Sequence, residues 1–201
     1  MLFRSFDKDV LEVFVTRTTK DLDAAVTAYY RKRPADIYAE LESSDTFKKG
    51  QALEAYAIYL MRLLGLRFLH WRKRAKETTG RAEVDAIFAG VIGAVPTRWQ
   101  VQCKNTPRGR VDLEDVAKEV GLLPITEATH ILLVANSRVT KDAREYATQI
   151  MNRSPVTIFL LDATDFAAVK QNPGALGSIL RSKAETIVRQ RPVGSLFGAR
   201  S

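Results

Sequence analysis

Apolar residues in the first part of the chain recur every three or four positions, which is the spacing of amphipathic helices. Residues 7–16 and 21–31 show this pattern. Arg33-Pro34 interrupts it, because the residue before a proline avoids helical backbone. A short helix is predicted over 37–41, so residues 1–47 are interpreted as an N-terminal helical extension.

A longer apolar stripe predicts a helix that runs to about Leu64. Ser44 or Thr46 is the expected N-cap, because a side-chain oxygen at that position satisfies amides of the first turn. Gly65 is typical of the residue that follows a helix. Glu54 lies on this helix, at the rim of its apolar stripe.

Beyond Gly65 the pattern changes to alternation and to short apolar runs, which indicate β-strands. Strands are predicted over 66–72, 84–91, 99–104, 129–135 and 156–161. Further helices are predicted over 112–120, 140–151 and 165–170, with Asp112 as the N-cap of the first and Asp115 at its third position. This order predicts an α/β fold with a mixed central sheet flanked by helices.

The net charge, the lengths of the apolar runs and the number of cysteines indicate which partners and which cellular compartment to expect. The formal net charge of +8 favours a polyanion as partner, nucleic acid rather than an anionic membrane, although a generally basic soluble protein shows the same charge. No run reaches the ~18 apolar residues of a membrane span, and no secretory signal is recognised. The single cysteine, Cys103, excludes an internal disulfide and favours a reducing cytoplasm.

Polar residues on two neighbouring strands form a candidate metal site. Gln102 and Lys104 point the same way because side chains alternate along a strand, and Asp85 meets them if the two strands pair. Asp85, the Gln102 side-chain carbonyl and the Cys103 backbone carbonyl are expected ligands of Mg²⁺. Glu54 is expected to reach the ion through water. Lys104 is expected to orient or deprotonate the attacking water and to stabilise charge on a phosphate.

Each of these residues also has an ordinary structural interpretation. Asp85 could form a salt bridge at a strand end, and Lys104 could be a solvated charge. Glu54 could lie on the exposed face of its helix. Cys103 is interpreted as a small apolar side chain facing away from Gln102, not as a nucleophile. The functional interpretation depends on the order and placement of the whole set.

That ordered set resembles the PD-(D/E)xK nuclease superfamily, and within it the Mrr-type restriction endonucleases, whose last motif is often Gln-x-Lys. The matching pieces are Gly50-x-x-x-Glu54, Val84-Asp85 and Gln102-x-Lys104. Residues 130–147 and 158–162 resemble the strand, turn, helix and next strand that follow in the family.

The resemblance covers residues 48–170 and implies a restriction-endonuclease-like αβββαβ core. It also implies Mg²⁺-dependent hydrolysis of DNA phosphodiester bonds, with Mn²⁺ as a substitute and with Asp85, Gln102 and Lys104, helped by Glu54, as catalytic residues. Residues 171–201 fall outside it as a basic C-terminal tail, in which residues 181–200 are expected to be either a DNA-embracing arm or a disordered end. Gln102 in place of an acid lowers the negative charge of the site.

Basic and hydroxyl side chains near the motifs suggest a phosphate track. Salt-dependent affinity for nucleic acid comes mainly from such contacts. The expected DNA-binding residues are Arg108, Arg110, Ser137, Arg138, Arg72 and Lys73. The segment around Arg72 could equally be solvated surface.

Three functions remain open at this stage. The first is a metal-dependent DNA endonuclease of restriction, defence or repair, acting as a homodimer because cutting a duplex requires two active sites. The second is a catalytically inactive DNA-binding module of the same fold within a larger assembly, which the glutamine at 102 motivates. The third is a Holliday-junction-resolvase-like, structure-specific nuclease.

Overall fold

The structure is a computed structural model that describes residues 32–74, 83–92, 94–106 and 108–190. Contacts divide the chain into two compact units, Met1–Arg33 and Pro34–Ser201, and the second contains every element described below. The helices predicted over 7–16 and 21–31 lie outside the described residues.

The predicted elements within the described residues appear in the predicted order, and three short elements and a C-terminal helix that were not predicted are added to them. The helices are α1 (Pro34–Leu41), α2 (Thr46–Leu63), α3 (Leu113–Gly121), α4 (Leu123–Thr126), α5 (Lys141–Arg153), α6 (Ala163–Gln171) and α7 (Ala175–Gln190). The strands are β1 (Arg67–Arg74), β2 (Glu83–Ile92), β3 (Val95–Lys104), β4 (Arg110–Val111), β5 (His130–Ala135), β6 (Arg138–Val139) and β7 (Thr157–Leu161). The expected αβββαβ core, made by α2, β1, β2, β3, α3 and β5, is confirmed.

The main sheet is mixed, with the strand order β1-β2-β3-β5-β7. β1, β2 and β3 pair antiparallel, whereas β3, β5 and β7 pair parallel. β3 begins at Val95, earlier than the predicted start at Trp99, because the hairpin pairs Ile92 with Val95 and extends both strands to its tip. Gln102 pairs with Leu133 of the parallel neighbour β5.

Helices cover both faces of the main sheet. One core cluster joins Ile131 and Leu133 of β5 to Val116 of α3 and Ala143 of α5. On the opposite face α2 packs against β1, β2 and β3, and α6 packs against β5 and β7. A residue of β3 therefore points toward α3 or toward α2 according to its place in the strand alternation.

Two further sequence expectations are corrected by the structure, in whole or in part. The N-cap of α2 is Asp45, whose Oδ1 accepts the amides of Phe47 and Lys48 at 2.9 and 3.3 Å, rather than Ser44 or Thr46. Within the tail, residues 175–190 form α7 (Ala175–Gln190), so the alternative of a disordered end is wrong for these residues, and the DNA-embracing arm stays a prediction. Leu176 and Leu180, one helical turn apart, are buried on it and anchor the helix, whereas residues 191–201 lie outside the described range.

Within the described residues, none of the helices is long and apolar enough to traverse a lipid bilayer.

Candidate active site

Asp85 and Gln102 meet where β2 and β3 stop pairing. The ladder ends at Ala86 and Val101. One residue further on, Gln102 Nε2 donates a hydrogen bond to Asp85 Oδ2 at 2.8 Å. The same oxygen accepts the backbone N–H of Cys103 at 2.6 Å. The Asp85 carboxylate therefore binds both the side chain and the backbone of β3, and the contact between Asp85 and Gln102 is the one that strand alternation predicts.

One buried oxygen beside Asp85 has no hydrogen-bond donor among the described residues. Gln102 is 7% exposed, and its Oε1 has no hydrogen-bond partner among the residues that the structure describes. A buried carbonyl oxygen without a partner costs free energy, so such an atom requires an explanation. A bound cation would provide one, because it would occupy this oxygen while neutralising the neighbouring carboxylate.

The donor chemistry around Asp85 fits a hard cation. The Cys103 carbonyl leaves the strand on the same side as its N–H, which faces Asp85. A carboxylate, an amide oxygen and a backbone carbonyl are all ligands that Mg²⁺ accepts, with waters completing its shell. No group of three or more His, Cys, Asp or Glu side chains in the described part of the chain could hold a metal, so the set depends on its amide and backbone oxygens.

Cys103 faces α2, away from Gln102 and Lys104. Its Sγ lies 3.9 Å from the carbonyl oxygen of Leu53, the residue before Glu54. Burial raises the pKa of the Cys103 thiol well above its usual value, and the negative charges of Asp85 and Glu54 raise it further. The thiol is therefore kept protonated. The negative charge of the half-buried Glu54 thus interacts electrostatically with Cys103, on the same strand that binds Asp85.

Lys104 is held by a carboxylate that the sequence interpretation did not assign to the site. Lys104 Nζ lies 2.5 Å from Asp115 Oδ1, and the two side chains are 22% and 23% exposed. The sequence pattern identifies Asp115 only as a helix-capping residue and does not connect it with Lys104. The chain crosses from β3 through α3 to β5, which places the first turn of α3 beside the end of β3.

The loop after Lys104 is fixed to its surroundings by side-chain amides. Asn136 Nδ2 donates to Asn105 Oδ1 at 2.6 Å, and Asn136 Oδ1 accepts the amide of Thr106 at 2.9 Å. Asn105 Nδ2 donates to the Thr46 carbonyl at the start of α2 at 3.3 Å. The backbone that carries Lys104 is thereby connected both to α2 and to the end of β5.

Three of the predicted DNA-binding arginines lie on or beside a two-stranded parallel sheet. β4 and β6 place Arg110 opposite Arg138, and both side chains are exposed, as is Arg108. Within the described ranges, no salt bridge engages any of the three. Ser137 differs, since it is 3% exposed and its Oγ shares a 3.3 Å hydrogen bond with Thr106 Oγ1. Its hydroxyl joins two loops.

Arg72 and Lys73, the remaining predicted DNA contacts, lie on β1. Their side chains fall outside the described part of the structure.

Comparison with known protein families identifies the family of the chain. Residues 45–169, more than half of its length, match the Mrr_cat family model, whose description is restriction endonuclease. The chain belongs to the Mrr_cat restriction endonuclease family. No curated protein matches the chain.

Solved structures similar to this Mrr_cat protein include two restriction endonucleases. The DNA modification-dependent restriction endonuclease AspBHI is 17% identical with a TM-score of 0.47, and the match covers 86% of this chain and 42% of AspBHI. The MspJI restriction endonuclease, solved with a 27-mer oligonucleotide, is 18% identical with a TM-score of 0.39, and the match covers 89% of this chain and 39% of MspJI. The Mrr_cat protein thus spans less than half the length of either enzyme.

A third similar structure is that of AF1548, a protein of unknown function. It is 16% identical with a TM-score of 0.43, and the match covers 64% of each chain.

The Mrr_cat domain also contains a buried polar network beneath α3. Gln100, on the same face of β3 as Gln102, donates from Nε2 to Glu119 Oε2 at 2.7 Å and accepts from Thr126 Oγ1 at 2.8 Å. Glu119 is 0% exposed, and burial raises its pKa against the lowering effect of the Gln100 hydrogen bond. Sequence analysis did not single out this network, since helical spacing alone does not show that a glutamate turns inward.

Proposed function

We propose that this Mrr_cat domain is a Mg²⁺-dependent DNA endonuclease. The observation that carries the proposal is the Asp85–Gln102 contact, in which the buried Oε1 of Gln102 lacks a donor among the described residues. Asp85, Gln102 Oε1 and the Cys103 carbonyl would hold the ion, and Glu54 would reach it through water. When bound, Mg²⁺ polarises the phosphate and makes a coordinated water more acidic.

The chain's own residues position the phosphate and balance its charge. A water oxygen bonds to phosphorus and gives up a proton, one phosphorus–oxygen bond to a sugar breaks, and the released sugar oxygen takes up a proton, so that one proton is lost and one is gained. Negative charge grows on the phosphate oxygens during this step, and the Lys104 ammonium stabilises it. Arg108, Arg110 and Arg138 supply further positive charge for neighbouring phosphates. Duplex cleavage requires two such sites, so we also propose a homodimer.

A plasmid-nicking assay tests the proposal. Asp85→Asn keeps the shape of the side chain and an oxygen for the Cys103 amide, but removes the charge that a divalent ion requires. We expect nicking of supercoiled DNA with Mg²⁺ or Mn²⁺ to fall by ~100-fold or more. DNA affinity, measured by fluorescence anisotropy in Ca²⁺, is expected to stay within about two-fold, since phosphate contacts supply most of it. Nicking by Asp85→Asn at the wild-type rate would contradict the mechanism.

The same assay decides the second candidate function, a binding module without activity. The observation that favours it is the lack of a group of three or more His, Cys, Asp or Glu side chains that could hold a metal within the described residues. In that case the wild-type protein binds duplex DNA with a steep salt dependence and leaves the plasmid intact in both Mg²⁺ and Mn²⁺. A comparison of four-way junctions with linear duplex would distinguish a structure-specific nuclease from either alternative.

A further inference from the structure

The ion pair between Lys104 and Asp115 is held by further contacts at both ends. Lys104 is the last residue of β3, whose pairing with β5 continues to Ala135, and its carbonyl accepts the Asn136 amide at 3.3 Å. Only its flexible four-carbon side chain remains to be oriented. Asp115 Oδ1, 2.5 Å from the ammonium, selects one of the directions that this side chain could take.

Asp115 is itself held by the capping box of α3. Its Oδ2 accepts the backbone N–H of Asp112 at 3.2 Å, and its own N–H donates to Asp112 Oδ1 at 3.3 Å. The two carboxylate oxygens are therefore divided, one for the helix cap and one for Lys104. A carboxylate with both oxygens engaged has little freedom to move, so it can fix an otherwise mobile ammonium group.

The location of this pair separates it from an ordinary surface salt bridge. Gln102, two residues before Lys104 and on the same face of β3, contacts Asp85. Both members of the pair are about four-fifths buried, where a charge interaction is less screened by solvent than at the surface. The ammonium is thus held on the side of the strand that carries the candidate active site.

We propose that Asp115 is a positioning residue, which holds the Lys104 ammonium in the orientation that cleavage requires. The inference rests on the proposed nuclease function and extends it to a residue outside the Gln-x-Lys motif. Asp115 acts through Lys104 and touches neither DNA nor a metal ion. It therefore affects the rate of the chemical step and leaves DNA affinity nearly unchanged.

A charge series at position 115 tests this role. Asp115→Asn and Asp115→Gln remove the charge and keep an oxygen for the Asp112 amide, since glutamine is also accepted at this position of a capping box. We expect each to lower the single-turnover cleavage rate by about 10- to 100-fold, with the dissociation constant for DNA within about two-fold. Asp115→Glu keeps both the charge and the cap, and should stay within about three-fold of the wild-type rate.

The chain offers a matched control in Asp165. It occupies the same position in the capping box of α6 and lies 2.8 Å from Lys183 Nζ, with side-chain exposures of 20% and 26%. Asp165→Asn makes the same chemical change in a helix cap, and the partners of the Asp165 side chain within the described residues, Asp162 and Lys183, are not predicted catalytic residues. Its cleavage rate should equal that of the wild type, and its melting temperature should show what losing such an ion pair costs in stability.

Three results would overturn the inference. Asp115→Asn and Asp115→Gln could cleave within two-fold of the wild type while Lys104→Met is inactive, or their DNA affinity could fall in parallel with their rates. Asp165→Asn could also lose as much activity as Asp115→Asn. If instead Lys104→Met and Asp85→Asn both cleave normally, the proposed nuclease site fails, and this outcome is distinct from the other three.

Discussion

The two capping boxes of this domain have the same local structure and lie in different surroundings. Asp112 and Asp115 begin α3, whereas Asp162 and Asp165 begin α6, and in both boxes each aspartate bonds the backbone N–H of the other at 3.2 to 3.3 Å. In both, the third helical residue also pairs with a lysine, at 2.5 Å in α3 and 2.8 Å in α6. The same local sequence pattern therefore gives the same arrangement at both helices, a capping box whose third helical residue pairs with a lysine.

The partner lysines show what distinguishes the two boxes. Lys104 ends the strand on which Gln102 contacts Asp85, whereas Lys183 lies on the C-terminal helix α7. The box of α6 has an additional cation, since Arg144 lies 2.5 Å from Asp162. An aspartate–lysine pair at a helix cap does not by itself indicate a function beyond stabilising the helix. The pair in α3 is a functional candidate because Lys104 ends the strand that contacts Asp85.

Replacing the two lysines should separate the boxes most strongly. Lys104→Met removes the ammonium from the candidate site, and we expect plasmid cleavage to fall by about 10²- to 10⁴-fold. Lys183→Met removes the equivalent ammonium beside α6, and cleavage should stay within about two-fold of the wild type. Rates measured with folded protein, checked by circular dichroism, decide the comparison. Equal losses in both variants would show that the two pairs do not differ in function.

Removing the two caps should give similar losses of stability and different losses of activity. Asp112→Ala leaves one first-turn amide without its acceptor and Asp162→Ala leaves two, and the loss of such a cap costs about 1 kcal/mol of unfolding free energy. Asp162→Ala should cost somewhat more, since it also removes the partner of Arg144. Urea titrations measure both.

Only Asp112→Ala should also lower the cleavage rate, by up to ~10-fold, because Asp115 loses one of the contacts that hold it. A normal rate in Asp112→Ala, at a temperature where the protein stays folded, would indicate that Asp115 does not depend on its cap.

The smallest expected difference lies in the pH dependence of stability. Burial raises the pKa of Glu119, on α3, above its ordinary value of 4.5. Burial also acts to raise the pKa of Asp162, but the Asp165 N–H and the Arg144 guanidinium outweigh it, and the pKa falls below 3.8. Ionisation of the buried Glu119 carboxyl in the folded protein therefore lowers the unfolding free energy as the pH rises above 4.5. Protonation of Asp162, in contrast, removes its stabilising contribution as the pH falls below 3.8.

Two neutral variants check these opposite signs. The unfolding free energy of Glu119→Gln relative to the wild type should increase as the pH rises from about 4.5, because glutamine carries no charge to bury. The deficit of Asp162→Asn should be full near neutral pH and shrink below about 3.8. Denaturant titrations from pH 3 to 8 measure both differences. A Glu119→Gln difference that stays constant with pH would contradict the raised pKa.

The residues of the first box show how far sequence reasoning reached. The N-cap at Asp112 and the third-position Asp115 follow from residue type and spacing, and both were predicted. The contact between Asp85 and Gln102 followed from alternation along two neighbouring strands. The pairing of Lys104 with Asp115 was missed, because it requires knowing which face of the sheet α3 covers. The helix α7 was missed because its basic composition hid a recurrent apolar spacing.

The sequence by itself determined the order of the core elements, the cap of α3 at Asp112 and the alternation that separates Gln102 and Lys104 from Cys103, because these depend on backbone preferences and on the periodicities of helix and strand. Only the tertiary structure decided which aspartate holds Lys104, and that the Gln102 side chain is buried with an oxygen that has no partner among the described residues. Those outcomes depend on which face of the sheet α3 covers in the connection from β3 to its parallel neighbour β5. Residues distant in sequence come into contact only once that connection has folded.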